Sequence, residues 1–246
     1  MSGPPEGPVL VLGAGSDIAR ALAGLYAAEG RALMLAGRDG AALEAVAGEL
    51  RAAHGATATV HPYDARDPDP RPFLDALPAL PAIAISAVGL MPDQAAAEAD
   101  PRLAAETVAV NFTGPALALS EIARRMAARG GGTVIGIGSV AGDRGRARNW
   151  WYGASKAGLA VALSGIRQAH GRDGVRVLLA RPGFVATRMT AGLDLPPRLT
   201  ASAAATASGI HAAARAGRHV WAPPLWRAVM AGVRAIPEPL FLRMRF

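Results

Sequence analysis

Short apolar runs alternate along this chain with longer segments whose apolar positions recur every three or four residues. The runs fall at Val9–Leu12, Ala32–Ala36, Ala56–Val60, Ala82–Val88, Thr133–Ile137 and Val175–Ala180, with a weaker one at His219–Ala222. Helical periodicity is clearest over Ile18–Glu29, Ala41–Ala53, Pro101–Arg129 and Trp151–His170. Continuous apolar strands separated by helices are the pattern of a parallel sheet buried on both faces. Right-handed crossovers then give an α/β fold, a single Rossmann-type doubly wound parallel sheet of about seven strands with helices on both faces. No repeat or linker interrupts the pattern, so residues 1–246 are expected to form one domain. Two segments break the alternation. Residues 186–215 are rich in small side chains and are expected to form a lid over a binding cleft. The tail, 223–246, mixes Trp226, Met230, Ile236, Leu240, Phe241 and Phe246 with Arg227, Arg234, Arg243 and Arg245.

Composition narrows the class. Hydrophobic residues make up 51%, charged residues 18% and aromatics 5%, which fits an alanine-rich globular protein and excludes extensive disorder. The absence of cysteine excludes a disulfide framework, a thiolate nucleophile and a zinc–thiolate site, and makes the reducing cytoplasm the expected location. The stretch Met1–Pro8 lacks the basic-then-apolar pattern of a signal peptide. No apolar run reaches the ~18 residues of a membrane-spanning helix. The formal charge of +7 and pI near 11.0 raise the question of a nucleic-acid partner. The arginines are scattered, however, with no basic stripe interleaved with aromatics, so no nucleic-acid partner is expected. Phosphates on small molecules or lipid surfaces fit the charge at least as well.

Candidate chemistry lies at three places. Val9-Leu-Val-Leu-Gly13-Ala-Gly15-Ser16-Asp17-Ile18 passes from a strand through a glycine turn into a helix, where backbone amides and the positive helix end can hold a pyrophosphate. The second strand ends at Gly37-Arg38-Asp39. An acid at this point reads ribose hydroxyls, whereas an arginine reads a 2′-phosphate. Arg38 comes first and Asp39 can serve as a helix cap, which favours NADP(H), with NAD(H) as the alternative. Asp64, just past the third strand, is placed either to bond the adenine or to cap its loop.

The third place is Tyr152-Gly-Ala-Ser-Lys156, which holds the chain's one lysine. Four residues on a helix put both side chains on one face. A cation about 5 Å from a phenol, at an effective dielectric near 20, favours the phenolate by about 3 kcal/mol, or around 2 pKa units. Tyr152 is therefore expected to be acidified into a usable acid–base group. Ser139 ends a strand 13 residues earlier, at the sheet edge where such folds bind ligands. Asn111, a polar amide within an apolar helix, fits a kink, a bound water or a satisfied core residue.

These elements, with Gly89 and Arg181-Pro182-Gly183-Phe-Val185-Ala-Thr187, resemble the short-chain dehydrogenase/reductase family over nearly the whole chain. The resemblance implies a metal-free ketone/alcohol oxidoreductase in which Tyr152 exchanges the proton, Ser139 orients the substrate oxygen, Lys156 lowers the tyrosine pKa and holds the nicotinamide ribose, and Asn111 supports a water-linked relay. It implies a cofactor cradle of Gly13, Gly15, Ser16, Asp17, Ile18, Arg38, Asp64, Ala87, Gly89, Pro182, Gly183, Val185 and Thr187, and assembly as a homodimer or homotetramer. Two features depart from the family pattern. The usual second and third turn glycines fall at Asp17 and Ala19; Asp17 is expected to point into solvent or cap the helix, with Ser16 nearer the phosphate. The usual Asn-Asn-Ala-Gly reads Ser86-Ala87-Val88-Gly89.

Arg144, Arg146 and Arg148 lie between Ser139 and Tyr152. They either read an anionic carbonyl substrate or form a solvated loop. The tail either lies on a membrane surface, packs against another subunit or closes over the active site. Together with Ser139–Arg146 and Met189-Thr190 it resembles a subgroup that includes the decaprenylphosphoryl 2-keto-β-erythro-pentose reductase, which implies a lipid-phosphate-linked ketosugar as one substrate to consider. A non-catalytic NADP-binding protein is the competing class, and it has no need of Ser139, Tyr152 and Lys156 together.

Overall fold

Strand β1 (Val9–Leu12) exposes none of its side chains to solvent, which puts it in the middle of a sheet covered on both sides. The computed structural model describes residues 6–244, and the fold is built outward from that strand. The chain continues through α1 (Asp17–Ala28), β2 (Leu33–Gly37), α2 (Gly40–His54), β3 (Ala58–Pro62), the short α3 (Arg71–Asp75) and β4 (Ile83–Ser86). Helices α4 (Gln94–Ala99), α5 (Pro101–Val108) and α6 (Gly114–Arg129) lead to β5 (Gly132–Ile137), α7 (Trp150–His170) and β6 (Val175–Ala180). Strands β7 (Phe184–Ala186) and β8 (Thr200–Ser202) pair with each other. Helix α8 (Ala203–Arg215), strand β9 (Val220–Trp221) and helices α9 (Pro224–Ala235) and α10 (Glu238–Phe241) follow.

The main sheet has seven strands, all parallel, in the order β3-β2-β1-β4-β5-β6-β9, the doubly wound arrangement read from the sequence. Strand side chains alternate between its two faces. Val9, Val11, Leu33, Leu35 and Ile85 pack under α1, α2 and α8, while Leu10, Leu12, Met34, Ala84 and Val134 pack under α6 and α7. The order reverses between β1 and β4, so the loops leaving their carboxyl ends part and open a crevice.

Three expectations change. The helix expected over Pro101–Arg129 is interrupted at Ala109–Thr113 by a π-helical turn, in which the Gly114 N–H donates to the carbonyl of Ala109. Pro115 has no N–H with which to continue the regular ladder. The segment 186–215, expected as a lid, divides in two. Thr187, Arg188, Met189, Thr190 and Leu193 line the cleft, whereas α8 drives Ala207, Ile210 and Ala213 into the core beside α1. Alanine buries little area but lets two helices approach closely, and that approach makes α8 part of the scaffold. The tail does not project: α9 buries Trp226 and Met230 beside Val140, Phe184 and Leu199. Its outer face leaves Leu225, Leu240 and Leu242 exposed. Arg245 and Phe246 lie outside the described residues. No described helix is long and apolar enough to cross a membrane.

Candidate active site

The glycine turn between β1 and α1 is fixed by backbone geometry. Gly13 has φ of +75°, and a Cβ there would stand 2.8 Å from the Val88 nitrogen. Only glycine lets this turn bend while touching the loop after β4. Ser16 is the N-cap of α1, its hydroxyl accepting from the Ala19 N–H at 3.2 Å. Asp17 neither caps the helix nor points to solvent, contrary to the sequence-based expectation. Its carboxylate accepts from the Arg188 backbone N–H at 2.7 Å and from the Arg188 Nε at 3.0 Å. The same guanidinium donates to the Gly15 carbonyl. Ser16 already holds the cap position, and an arginine arriving from the loop after β7 neutralises the carboxylate where it would otherwise repel a pyrophosphate.

On one side of the turn lies a cavity of about 420 Å³ lined by Gly13, Gly15, Arg38, Asp64, Ala87 and Gly89, among others. Asp39 caps α2 by accepting from the Ala42 N–H at 3.0 Å. Arg38 stands exposed beside it. Asp64 accepts from the Arg66 backbone N–H at 2.9 Å and from the Arg66 Nε at 3.0 Å. Hydrogen bonding to Arg66 holds its carboxyl below the usual range. Asp64 is thus a loop cap whose charge is already engaged.

The second cavity, about 280 Å³, shares Ser16, Ala87, Gly89 and Arg188 with the first, so the two form one cleft along the carboxyl edge of the sheet. Asp17, Ile18, Ser139, Tyr152, Lys156, Pro182, Gly183, Val185 and Thr187 all line it. Ser139 leaves β5 and caps a tight turn, Val140–Asp143, by accepting from the Ala141 N–H at 3.1 Å. That turn is pressed onto α7. A Cβ at Gly142 would lie 2.8 Å from the Ala157 nitrogen, and one at Gly153 2.8 Å from the Ala141 oxygen. The two glycines let backbone meet backbone, which brings Ser139 to Tyr152.

Tyr152 does not behave as its neighbour alone suggests. Burial pushes its phenol up from the ordinary value, and Ser139, close enough to bond it, opposes that rise only in part. The Lys156 Nζ stands 5.7 Å from the Tyr152 ring centre. It donates to the Ile137 carbonyl at 3.1 Å and faces the Val88 carbonyl at 3.5 Å. Burial lowers Lys156 itself to about 8. The acidification expected from Lys156 is not what the site shows: desolvation raises the phenol, and the ammonium stands over the ring face.

Asn111 is the one expected catalytic residue that lines neither cavity. It sits wholly buried in the π-helical turn, its Oδ1 accepting from the Leu90 N–H and its Nδ2 donating to the Leu90 carbonyl, each at 2.7 Å. It clamps the chain just past Gly89, where a Cβ would stand 3.5 Å from the Asn111 Oδ1 and 3.7 Å from the Lys156 Nζ. Pro182 accepts from the Val140 N–H at 3.1 Å, tying the strand-six exit to the Ser139 turn. Met91, Met189, Leu193 and Arg188 also line the cleft and were not anticipated as site residues. The signal for Arg188 was present: an acid in place of a turn glycine calls for a counter-charge.

A family model described as short chain dehydrogenase matches residues 8–196. An uncharacterised oxidoreductase of Streptomyces coelicolor is 38% identical over 99% of this chain and 97% of its own. An uncharacterised oxidoreductase of Mycobacterium tuberculosis is 34% identical over 96% of each chain. Among solved structures, a short-chain dehydrogenase from Sphingobium yanoikuyae in complex with NADPH superimposes with a TM-score of 0.79 at 23% identity, covering 97% of this chain and 96% of that one.

Proposed function

The chain belongs to the short-chain dehydrogenase family and is an oxidoreductase that uses a nicotinamide cofactor, and from that premise we propose that it interconverts a ketone and a secondary alcohol with NADP(H), using Tyr152 as the acid–base group. The observation that carries this reading is the meeting of Ser139, Tyr152 and Lys156 on the wall of a cleft that begins at the glycine turn. NADP(H), when bound, supplies the hydride or takes it back.

The chain's own residues fit the cofactor. Gly15, Ser16 and Ile18 line the cleft at the start of α1, where the positive helix end would meet a pyrophosphate, and Gly13 and Gly89 keep the floor open. Pro182, Gly183, Val185 and Thr187 would flank the nicotinamide end, and Asp64 and Ala87 the adenosine and ribose side. Support for NADP(H) over NAD(H) comes from Arg38, which stands exposed while Asp39 is spent on α2.

In the reductive direction Tyr152 gives its phenolic proton to the carbonyl oxygen as charge develops there, while Ser139 donates to the same oxygen and fixes it. Burial that keeps the phenol protonated suits this direction, because the acid form is the one required. The Lys156 ammonium then faces the phenolate left behind and stabilises it. Asn111 is a positioning residue that holds the loop carrying Gly89.

We assign the exposed apolar face of the tail, Leu225, Leu240 and Leu242, to a partner subunit in a homodimer or homotetramer, with a membrane surface as the competing use. Sedimentation with and without anionic vesicles separates the two. The test of the reaction is a panel of ketones run with NADPH and NADH side by side. Oxidation of NADPH dependent on added ketone is expected, and a panel with no turnover under either cofactor would overturn the reading.

A further inference from the structure

The three arginines between Ser139 and Tyr152 have different fates. Arg144 is committed to the tail: it donates to the carbonyls of Val233 and Ile236 at 2.7 and 2.6 Å and pairs with Glu238 at 2.6 Å. Its guanidinium also lies 3.6 Å from the centre of the Phe241 ring. Arg148 is exposed and lines neither part of the cleft. Arg146 turns inward and lines the same cavity as Ser139 and Tyr152.

Arg146 is a cation without a counter-charge. Its Nε is buried with no hydrogen-bond partner, and among the described residues its side chain makes no ion pair. The acid that lines the cavity, Asp17, is taken by Arg188, and Lys156 faces main-chain carbonyls. The cavity that Arg146 shares is largely apolar in its lining, with Met91, Val140, Phe184, Met189 and Leu193. Partial burial pulls the guanidinium below its ordinary pKa, and no neighbouring acid offsets that. An unpaired buried charge is costly, and an arriving anion relieves that cost while gaining a bidentate partner.

We propose that Arg146 reads an anionic group on the substrate: the ketone carries a carboxylate or a phosphate on an apolar body, and that group pairs with the Arg146 guanidinium while the carbonyl lies at Ser139 and Tyr152. The inference rests on the reductase reading and adds the chemical class of its substrate. Planar, two-pronged recognition explains why the position holds arginine, since both anions present paired oxygens that a guanidinium fork fits.

The test compares each anionic ketone with a neutral counterpart of the same skeleton, a keto acid with its methyl ester and a ketone phosphate with its free alcohol, using NADPH. Charge-assisted pairing predicts a preference of roughly 10- to 100-fold in kcat/KM for at least one anion, and the two arms separate carboxylate from phosphate. In Arg146→Gln the ratio of anionic to neutral rates should collapse towards one, and in Arg146→Lys part of it should return. NADPH affinity, read by fluorescence, reports that each variant is folded. Turnover of neutral ketones with no preference for either anion, or an equal loss on both members of a pair in Arg146→Gln, would overturn this inference and leave the reductase reading intact. No turnover of any ketone would sink that reading, and this one with it.

Discussion

Replacing Lys156 by methionine should make the protein more stable near neutral pH while removing its activity. Lys156 is 4% exposed as a residue, and its pKa falls from 10.5 to about 8 in the folded chain. At about 1.4 kcal/mol per pH unit, that difference is a penalty of roughly 3 kcal/mol on the folded state near pH 7. The sign follows from linkage. The unfolded chain holds the proton more tightly, so the penalty is present in full below about pH 8 and fades as pH rises towards about 10.5. Methionine matches the length of the side chain but leaves the Ile137 carbonyl without its donor, which costs about 1–2 kcal/mol at every pH. The net expectation is a gain of roughly 1–2 kcal/mol near neutral pH, or about 2–6 °C in Tm for a chain of this size. Near pH 10 the gain should vanish and then reverse. Thermal unfolding of wild type and Lys156→Met across this range is the assay, and titrations elsewhere in the protein cancel in the difference. A Tm difference that stays constant with pH, or a variant less stable at neutral pH, would refute the account of Lys156 as a buried, uncompensated cation.

Three further outcomes are expected. Tyr152→Phe removes the proton donor and should lower kcat by about 10²–10⁴-fold, while NADPH fluorescence still reports binding. Arg38→Gln should raise the KM for NADPH by roughly 5- to 30-fold and leave that for NADH nearly unchanged; an equal rise for both would remove Arg38 as the phosphate reader. Gly153→Ala places a Cβ 2.8 Å from the Ala141 oxygen, so the Ser139 turn must retreat from α7. Its turnover should drop at least about tenfold, since misplacing reacting groups by an ångström is that expensive, and a variant with wild-type kcat would show that the turn tolerates the displacement.

The sheet was legible because its strands are continuous apolar runs, and runs such as Val9–Leu12 can belong only to the middle of a two-sided core. The residues facing the cleft were legible for a related reason: the glycine turn, Ser139 and the Tyr152–Lys156 pair are each local signals whose spacing survives without tertiary information. What escaped depended on contacts far apart in sequence. The break in the helix after Val108 is set by Asn111 reaching the chain at Leu90, and periodicity carries no trace of that bond. Asp17 looked for solvent or a cap because its partner, Arg188, lies 171 residues further along the chain. Helix α8 was hidden by alanine, which gives little contrast between buried and exposed faces. The phenol's acidity failed for a different reason: spacing predicts the presence of a neighbouring charge but not how much water has been removed around it.

The match to the family ends at residue 196, yet the loop that carries Arg146 is held from beyond that boundary, through Arg144 and the carbonyls of Val233 and Ile236. That loop is thereby made within one stretch of polypeptide and held by another. The matched region contains Ser139, Tyr152 and Lys156 together with Arg146, and the last helices grip the loop between Ser139 and Tyr152. Alterations in those helices would shift the loop that carries Arg146 without touching Ser139, Tyr152 or Lys156.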